Sequence, residues 1–376
     1  MGVGKRNIIC EQLRGQIVRG ELAPGSRLPT RQEMIRVFET SAVTAQAVLD
    51  QLSRQNFIVT RGRAGTFVSE RPPHLCRYGL VFPFPPTPQK QWSLLYEALL
   101  KEAATFGKSR NLEIPIFYDV IGHEDPQGQL AELVNSVENH RVAGLIFAAS
   151  PHLLATTPVT NAPGISRVAI MDPGEIWTGI SIVYVDWNHF IDRSVEFLSQ
   201  RGCKRLALIS HHLESTFVDQ FAGRCAEAGI TTGPWWMHPV HPDQTTALGN
   251  LIQLMMRAKP EDRPDGIVVA DDNLTANVIQ SLQSAGVSIG PGRDVEVLSH
   301  CNIPHLPNIP APVTWLGFDV RQMLGACVKA IDQTRAGETP QTVLLPAEFY
   351  ETNEAGSNGK TFEPRTSLNG YVASPI

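Results

Sequence analysis

The segment Arg61-Gly62-Arg63-Ala64-Gly65 sets two guanidinium groups among glycines, between the β-type runs Phe57-Ile58-Val59-Thr60 and Thr66-Phe67-Val68. A hairpin with such a tip offers cations to phosphates, or to a minor groove, where arginine is favoured. Covalent chemistry is not signalled. None of GxGxxG, GxxxxGK[ST] or HExxH occurs, so no phosphate loop or zincin helix is signalled and the chain reads as no enzyme. Histidine and cysteine do gather in His211-His212, His238, His241, His300-Cys301 and His305. Imidazole and thiolate suit zinc or copper, which keeps a metal-responsive alternative open, although the spacing matches no tight site. The six cysteines are scattered without a CxxC pair and read as free thiols.

The basic hairpin needs a platform, and the preceding residues supply one. Ile8, Leu13, Ile17 and Val18 recur at helical spacing until Gly20 and Pro24. Thr30 with Glu33 three residues on forms a capping box for a second helix that turns Met34, Ile35 and Phe38 inward. After the break Glu39-Thr40, Ser41 caps a third helix marked by Val43, Ala47, Val48 and Leu52. Two helices joined by about three residues form a helix-turn-helix, whose second helix fits a major groove. Charge agrees: residues 1–70 hold ten basic and six acidic side chains, so the rest of a chain of net charge -5 carries -9. A basic head on an acidic body suits a phosphate-binding module joined to a partner that leaves nucleic acid alone.

Arg71-Pro72-Pro73 reads as a stiff linker. Beyond it, apolar runs such as Tyr78–Phe82, Ile114–Tyr118, Val142–Ala148, Val168–Met171, Ile182–Val185, Leu206–Ile209, Ile267–Ala270 and Val295–Leu298 alternate with helical patterns. Strands separated by helices mean parallel α/β sheets, and about ten of them call for two lobes rather than one sheet. Ligands of such sheets bind at the carboxyl ends of strands, here between the lobes. That rule selects Phe82, Phe84, Tyr118, Asp119, Ser150, Asp172, Asp186, His211, Asp272, His300 and Cys301. Aromatic faces and carboxylates together suit a polyol. Of the adjacent Trp235 and Trp236, at most one reaches a ligand if they lie on a strand.

Residues 5–69 resemble the GntR-type winged helix, through Gly20, Pro24-Gly25, Leu28-Pro29-Thr30-Arg31, Phe38, Ser41, Thr44, Leu49, Leu52 and Gly65-Thr66-Phe67-Val68. The resemblance implies DNA contacts from Arg31, Ser41, Thr44, Gln46 and Gly65, beside the wing arginines Arg61 and Arg63. Ala42 and Gln46 stand where the family usually has arginine, so its usual operator does not transfer; glutamine reads adenine. Residues 77–350 are similar to the effector domain of LacI-type repressors and to periplasmic sugar-binding proteins. The carrying residues are Tyr78-Gly79-Leu80-Val81-Phe82, Gly144-Leu145-Ile146, Val185-Asp186, Arg201-Gly202-Cys203-Lys204-Arg205-Leu206-Ala207, Ala228-Gly229-Ile230, Pro264-Asp265-Gly266-Ile267 and Asp271-Asp272. Phe217 and Cys301 occupy the positions where that family sets a ligand-contacting Arg and Asp, while Asp272 keeps its place.

The expected architecture is thus α/β: a winged helix-turn-helix at 1–70, a linker at 71–77 and a two-lobed periplasmic-binding-protein-like effector domain at 78–350. Lobe 1 is expected at about 78–187 plus 315–338, lobe 2 at about 188–314 plus 339–350, and a disordered tail at 351–376. The expected function is sequence-specific transcription regulation, as a repressor controlled by a sugar-like effector. A constitutive DNA binder with a vestigial sensor is the other reading, motivated by Phe217 and Cys301. Expected partners are double-stranded operator DNA, the effector and a second copy of the chain, since two-fold repetition doubles DNA contacts. No cofactor, metal or membrane is expected, and with no apolar signal core the chain is placed in the cytoplasm.

Overall fold

A computed structural model of the chain describes residues 4–86, 92–118, 128–172, 174 and 177–350. The head is built from α1 (Lys5–Val18), α2 (Arg31–Val37), α3 (Ala42–Arg54) and a wing hairpin of β1 (Ile58–Thr60) and β2 (Thr66–Val68). The expected capping box is formed. The Glu33 N–H donates to Thr30 Oγ1 at 3.3 Å, and the Thr30 N–H donates to Glu33 Oε2 at 2.7 Å. Ser41 Oγ accepts the Thr44 N–H at 3.1 Å, and such a cap contributes about 1 kcal/mol. Glu39 turns the chain between these helices at φ +47°. Leu13, Ile17, Met34, Val48, Leu52, Phe57 and Val68 form the core of the head. Two expected core positions face outward instead: Ile8 yields to its neighbour Ile9, and Val43 is 80% exposed.

The one-turn α4 (Pro73–Cys76) replaces the expected free linker, and Pro72, Pro73 and His74 are buried. The His74 ring stacks on Phe57 at 6.0 Å. Arg14 of α1 is 3% exposed; it donates to Gln55 Oε1 at 2.9 Å inside the head and to Asn139 Oδ1 at 2.7 Å in the body. The head is therefore docked on the first lobe through a buried cation.

The body runs β3 (Tyr78–Val81), α5 (Leu94–Ser109), β4 (Ile116–Phe117), α6 (Gln129–Glu138), β5 (Gly144–Phe147), α7 (Pro158–Asn161), β6 (Ser166–Ile170) and β7 (Ile180–Val185). It continues through α8 (Trp187–Gln200), β8 (Leu206–Ser210), α9 (Ser215–Glu227), β9 (Met237–Pro239), α10 (Thr245–Met256), β10 (Gly266–Val269), α11 (Asp272–Ser284), β11 (Glu296–Ile303) and β12 (Val313–Asp319). It ends with α12 (Val320–Arg335), β13 (Thr342–Leu345) and β14 (Glu348–Phe349). One sheet has the order β13-β7-β6-β5-β3-β4 and the other β14-β12-β11-β10-β8-β9, all pairs parallel except β12 with β14.

Period-two alternation buries both faces of each sheet. Leu80, Ile146, Val168 and Val183 pack under α5 and α12, whereas Leu145, Phe147, Ala169 and Ile182 face α6 and α7. In the second lobe, Ile209, Ile267 and Val269 meet α10 and α11, while Leu208, Val268 and Leu298 meet α8 and α9.

The chain crosses between lobes after β7, after β12 and after β13. This corrects two expected lobe limits. Val313–Asp319 pairs along its whole length with β11, so 315–319 belongs to the second lobe. Thr342–Leu345 pairs with β7, so this stretch belongs to the first. Thr342–Leu345 is an edge strand and Val313–Asp319 lies second in its sheet, and in each case the pairing partner decides which lobe the strand completes. Asp119 and the tail 351–376 lie outside the described residues.

Candidate functional site

The reading face of the head gathers the first turns of α2 and α3 with the wing tip. Arg31, Ser41, Gln46, Arg61 and Arg63 are exposed, and Thr44 is half-buried with its hydroxyl 2.9 Å from Ser41 Oγ. Not all are free. Gln46 donates to Asp50 Oδ1 at 2.8 Å, and Arg61 pairs with Glu70 at 3.0 Å while lying over the Phe67 ring. Gly65 sits at φ +110°, and a Cβ there would come 3.1 Å from Arg27 Nε. Val43, expected inside, adds an exposed apolar group to this face, of the kind that meets a thymine methyl.

Between the lobes lies a cavity of about 910 Å³. The carboxyl ends of β6, β7, β8 and β10, together with β11, form its rim. Phe84, Asp172, His211, Phe217, Asp272 and His300 line it, as the strand-end rule and the resemblance expected. The structure also brings in residues the sequence reading passed over: Tyr96, Tyr184, Trp187, Asn188, Asp271, Asn273 and Asn302.

Trp187 is the hub of the aromatic wall. Its ring centroid stands 5.3 Å from His300, 5.4 Å from Phe318 and 6.0 Å from Phe217, the last at an interplanar angle of 89°. Asp272, at the first turn of α11, is 3% exposed. Its Oδ2 accepts from Asn302 Nδ2 at 2.6 Å, and its Oδ1 lies 3.6 Å from His300 Nδ1. Asp271 caps α11 by accepting the Asn273 N–H at 3.0 Å, and burial above all pushes its carboxyl pKa upward. Burial, with the negative charge and hydrogen bond of Asp172 behind it, raises the Tyr184 hydroxyl, which therefore stays protonated.

Other expected contacts go elsewhere. Phe82 is fully buried against Trp92, Tyr96 and Tyr118 in the first-lobe core. Asp186 spends its carboxylate on the His189 N–H as the cap of α8. Ser150 and Tyr118 are half-buried away from the cavity lining. Cys301 is fully buried with Ile303 and Trp315 because the strand expected to end at Leu298 runs on to Ile303. Alternation along it turns His300 and Asn302 to the cleft and Cys301 to the opposite face, where burial pushes its thiol well up. Asn302 takes the place expected of the position next to it.

The histidines disperse as well. His211 and His241 stack edgewise at 5.2 Å, but His238 bonds the Trp235 carbonyl and His305 pairs with Glu102. Among the described residues no group of three or more His, Cys, Asp or Glu is placed to hold a metal. Trp235 and Trp236 form a tight turn outside the cleft, the first exposed and the second in the core.

Two ties span the lobes beside the cavity. The Leu94 N–H donates to Asn273 Oδ1 at 3.0 Å, and His305 Nε2 meets the buried Glu102 Oε1 at 2.9 Å. Among the described residues no helix is long and apolar enough to cross a membrane.

Comparison with known proteins matches residues 5–68 to bacterial regulatory proteins of the gntR family and residues 195–351 to the periplasmic binding protein-like domain. Over 94% of this chain and 98% of the relative, the sequence is 20% identical to an arabinose metabolism transcriptional repressor of Halalkalibacterium halodurans. Over 62 residues, 16% of this chain and 26% of the relative, it is 40% identical to the mannosyl-D-glycerate transport/metabolism system repressor MngR of Escherichia coli. A LacI-family regulatory protein from Chloroflexus aggregans superposes with a TM-score of 0.55 at 14% identity, covering 73% of this chain and 96% of that one. A LacI-family regulator from Lactobacillus casei with bound glucose superposes with a TM-score of 0.52 at 16% identity, covering 74% and 100%.

Proposed function

Since the chain is a transcription regulator that joins a gntR-family winged helix to a LacI-like, periplasmic-binding-protein-like body, we propose that it is a cytoplasmic repressor switched by a carbohydrate-like molecule bound between the lobes. The observation that carries this reading is the cleft itself. An aromatic wall of Trp187, Phe217 and Phe318 faces the paired polar groups Asp272 and Asn302 at the strand ends, the mixture that grips the apolar faces and hydroxyls of a sugar. The names of the relatives, which concern sugar metabolism, point the same way.

Arg31 and Arg63 supply phosphate contacts, Ser41, Thr44 and Gln46 meet base edges or backbone from α3, and Gly65 lets the wing approach closely. Arg61 joins them by exchanging Glu70 for phosphate. Two copies read a pseudo-palindromic operator. They associate through the lateral face of the first lobe, where a groove of about 980 Å³ between α5 and α12 sets Arg110 and Lys329 beside the buried Phe106 and Val328.

Ligand acts by shifting the lobes about the three crossovers, and the Arg14–Asn139 contact carries the first lobe's motion to the head. A ligand shifts this equilibrium only by its differential affinity for the two arrangements. The test is a thermal-shift panel of sugars on the full chain, repeated with Asp272→Ala. A stabilising sugar whose effect vanishes in the variant supports the reading. A panel without any stabilising sugar, or a shift that survives the substitution, contradicts it.

A further inference from the structure

The charge inventory of the cleft narrows the effector beyond its being carbohydrate-like, and the narrowing rests on that reading. Five carboxylates line the cavity (Asp172, Glu214, Asp243, Asp271 and Asp272), and its described lining contains no lysine or arginine. Two of them are answered at the rim, Glu214 by His212 at 3.4 Å and Asp243 by His241 at 3.5 Å. The inner pair is not. Asp271 and Asp272 are consecutive, and Asp272 is 3% exposed with only amide hydrogen bonds to its oxygens.

A buried carboxylate needs a charge partner or a dense set of donors. The group best placed to give one, His300 Nδ1, stops 3.6 Å short of Asp272, and that nitrogen is buried with no hydrogen-bond partner in a residue 8% exposed. Opposite stand the faces of Trp187 and Phe217, perpendicular to each other. Phe217 occupies the position where the resembled sensors have an arginine, so this wall has exchanged a cation for a π face. Carboxylates beside aromatic faces attract a cation from both sides.

We propose that the cleft selects a polyhydroxylated ligand bearing a protonated amine and rejects its carboxylated and phosphorylated counterparts. The ammonium sits between Asp272 and the Trp187–Phe217 corner. Its hydroxyls bond Asn302, Asn188 and the unpartnered His300 nitrogen. An anionic substituent meets two inner carboxylates, with no lysine or arginine among the described lining residues to receive it.

The test is isothermal titration of the full chain, in an amine-free buffer, with three matched sets of gluco, galacto and manno configuration. Each set holds the 2-amino sugar, the parent sugar, the uronic acid and the 6-phosphate. The expected result is one configuration whose amino sugar binds at least about tenfold more tightly than its parent, a difference of ~1.4 kcal/mol, with no binding of the acid or phosphate. Asp272→Asn keeps the shape and the contact with Asn302, and should reduce the amine advantage to under about threefold while the thermal midpoint of the free protein stays within a few degrees.

A parent sugar binding as tightly as its amine overturns the charge selection and leaves the carbohydrate reading standing. An acid or phosphate binding more tightly overturns it as well. Silence across all three sets overturns both.

Discussion

The docked head gives the account its most exposed mechanical claim, and Arg14→Met tests it. Methionine keeps the aliphatic stem against Phe57 but removes the guanidinium that donates to Asn139 at 2.7 Å and to Gln55 at 2.9 Å. A hydrogen bond to a charged group contributes roughly 1.5–3 kcal/mol net. Burial pushes the Arg14 pKa down, a sign that desolvation offsets part of this gain, so the lower end of the range applies. A coupling of about 1.5 kcal/mol between Arg14 and Asn139 is a tenfold change in the docked-to-undocked ratio. Amide hydrogen exchange of α4 reports it, since His74 of this turn stacks on Phe57 of the head while Cys76 accepts the Glu113 N–H of the body. Protection there should fall about tenfold in Arg14→Met and in Asn139→Ala, with no further loss in the double variant. Gln55→Ala is the control for the bond inside the head. Additive effects of the two substitutions, or unchanged protection in either, would refute the idea that this contact ties the head to the first lobe.

Arg63 has no ion-pair partner among the described residues, so Arg63→Ala should lower the log-log salt slope of DNA binding by about 0.9 per copy bound; an unchanged slope in a filter or anisotropy titration counts against a wing–phosphate contact. Gly65→Ala places a Cβ at φ +110° and 3.1 Å from Arg27 Nε. It should cost ~1–2 kcal/mol in the wing and weaken DNA binding with little change in ligand binding, measured by anisotropy and calorimetry on the same preparation. Burial first, then the charges of Arg335 and His140, hold the His74 pKa at about 4 against an ordinary 6.5. The docked form therefore keeps His74 neutral while the undocked form takes a proton, so its contribution is complete above pH 6.5 and is lost as the pH falls from there toward 4. Exchange protection of α4 should drop across that window and flatten in His74→Gln; a flat profile in the native chain excludes the mechanism.

Much of this was legible from residue spacing. Thr30, Glu33 and Ser41 announced the helix-turn-helix because a cap is a local device, decided within three residues by its own hydroxyl or carboxylate. The strands of the two sheets read as apolar runs because both faces of a parallel sheet are covered. The limits of this legibility are equally physical. Thr342–Leu345 carries only the short run Val343-Leu344-Leu345, with Leu344 exposed, and it joins the first sheet because β7 offers an open edge. His300 and Asn302 were misread as loop or missed because their polar side chains interrupt an apolar pattern, although the backbone ladder continues beneath them to Ile303. Trp187 lies one residue beyond the strand-end position that the rule selected, and helix α8 absorbs Asp186 as its cap. Val43 keeps the period of a buried position but sits where α3 has nothing above it. The docking of head on lobe, through Arg14 and Asn139, joins residues 125 apart and leaves no local trace.

The central claim is that the cleft and the reading head belong to one equilibrium. Its most direct test is the affinity of the full chain for a duplex selected from a random library by the chain itself, measured by fluorescence anisotropy with and without a saturating cleft ligand from the titration panel. The coupling is reciprocal and typically amounts to about 1–3 kcal/mol. The account predicts that ligand changes the dissociation constant by at least about fivefold, that the duplex changes ligand affinity by the same factor, and that Asp272→Ala abolishes both effects while ligand-free DNA binding persists. A ligand that occupies the cleft and leaves the DNA dissociation constant unchanged would contradict it.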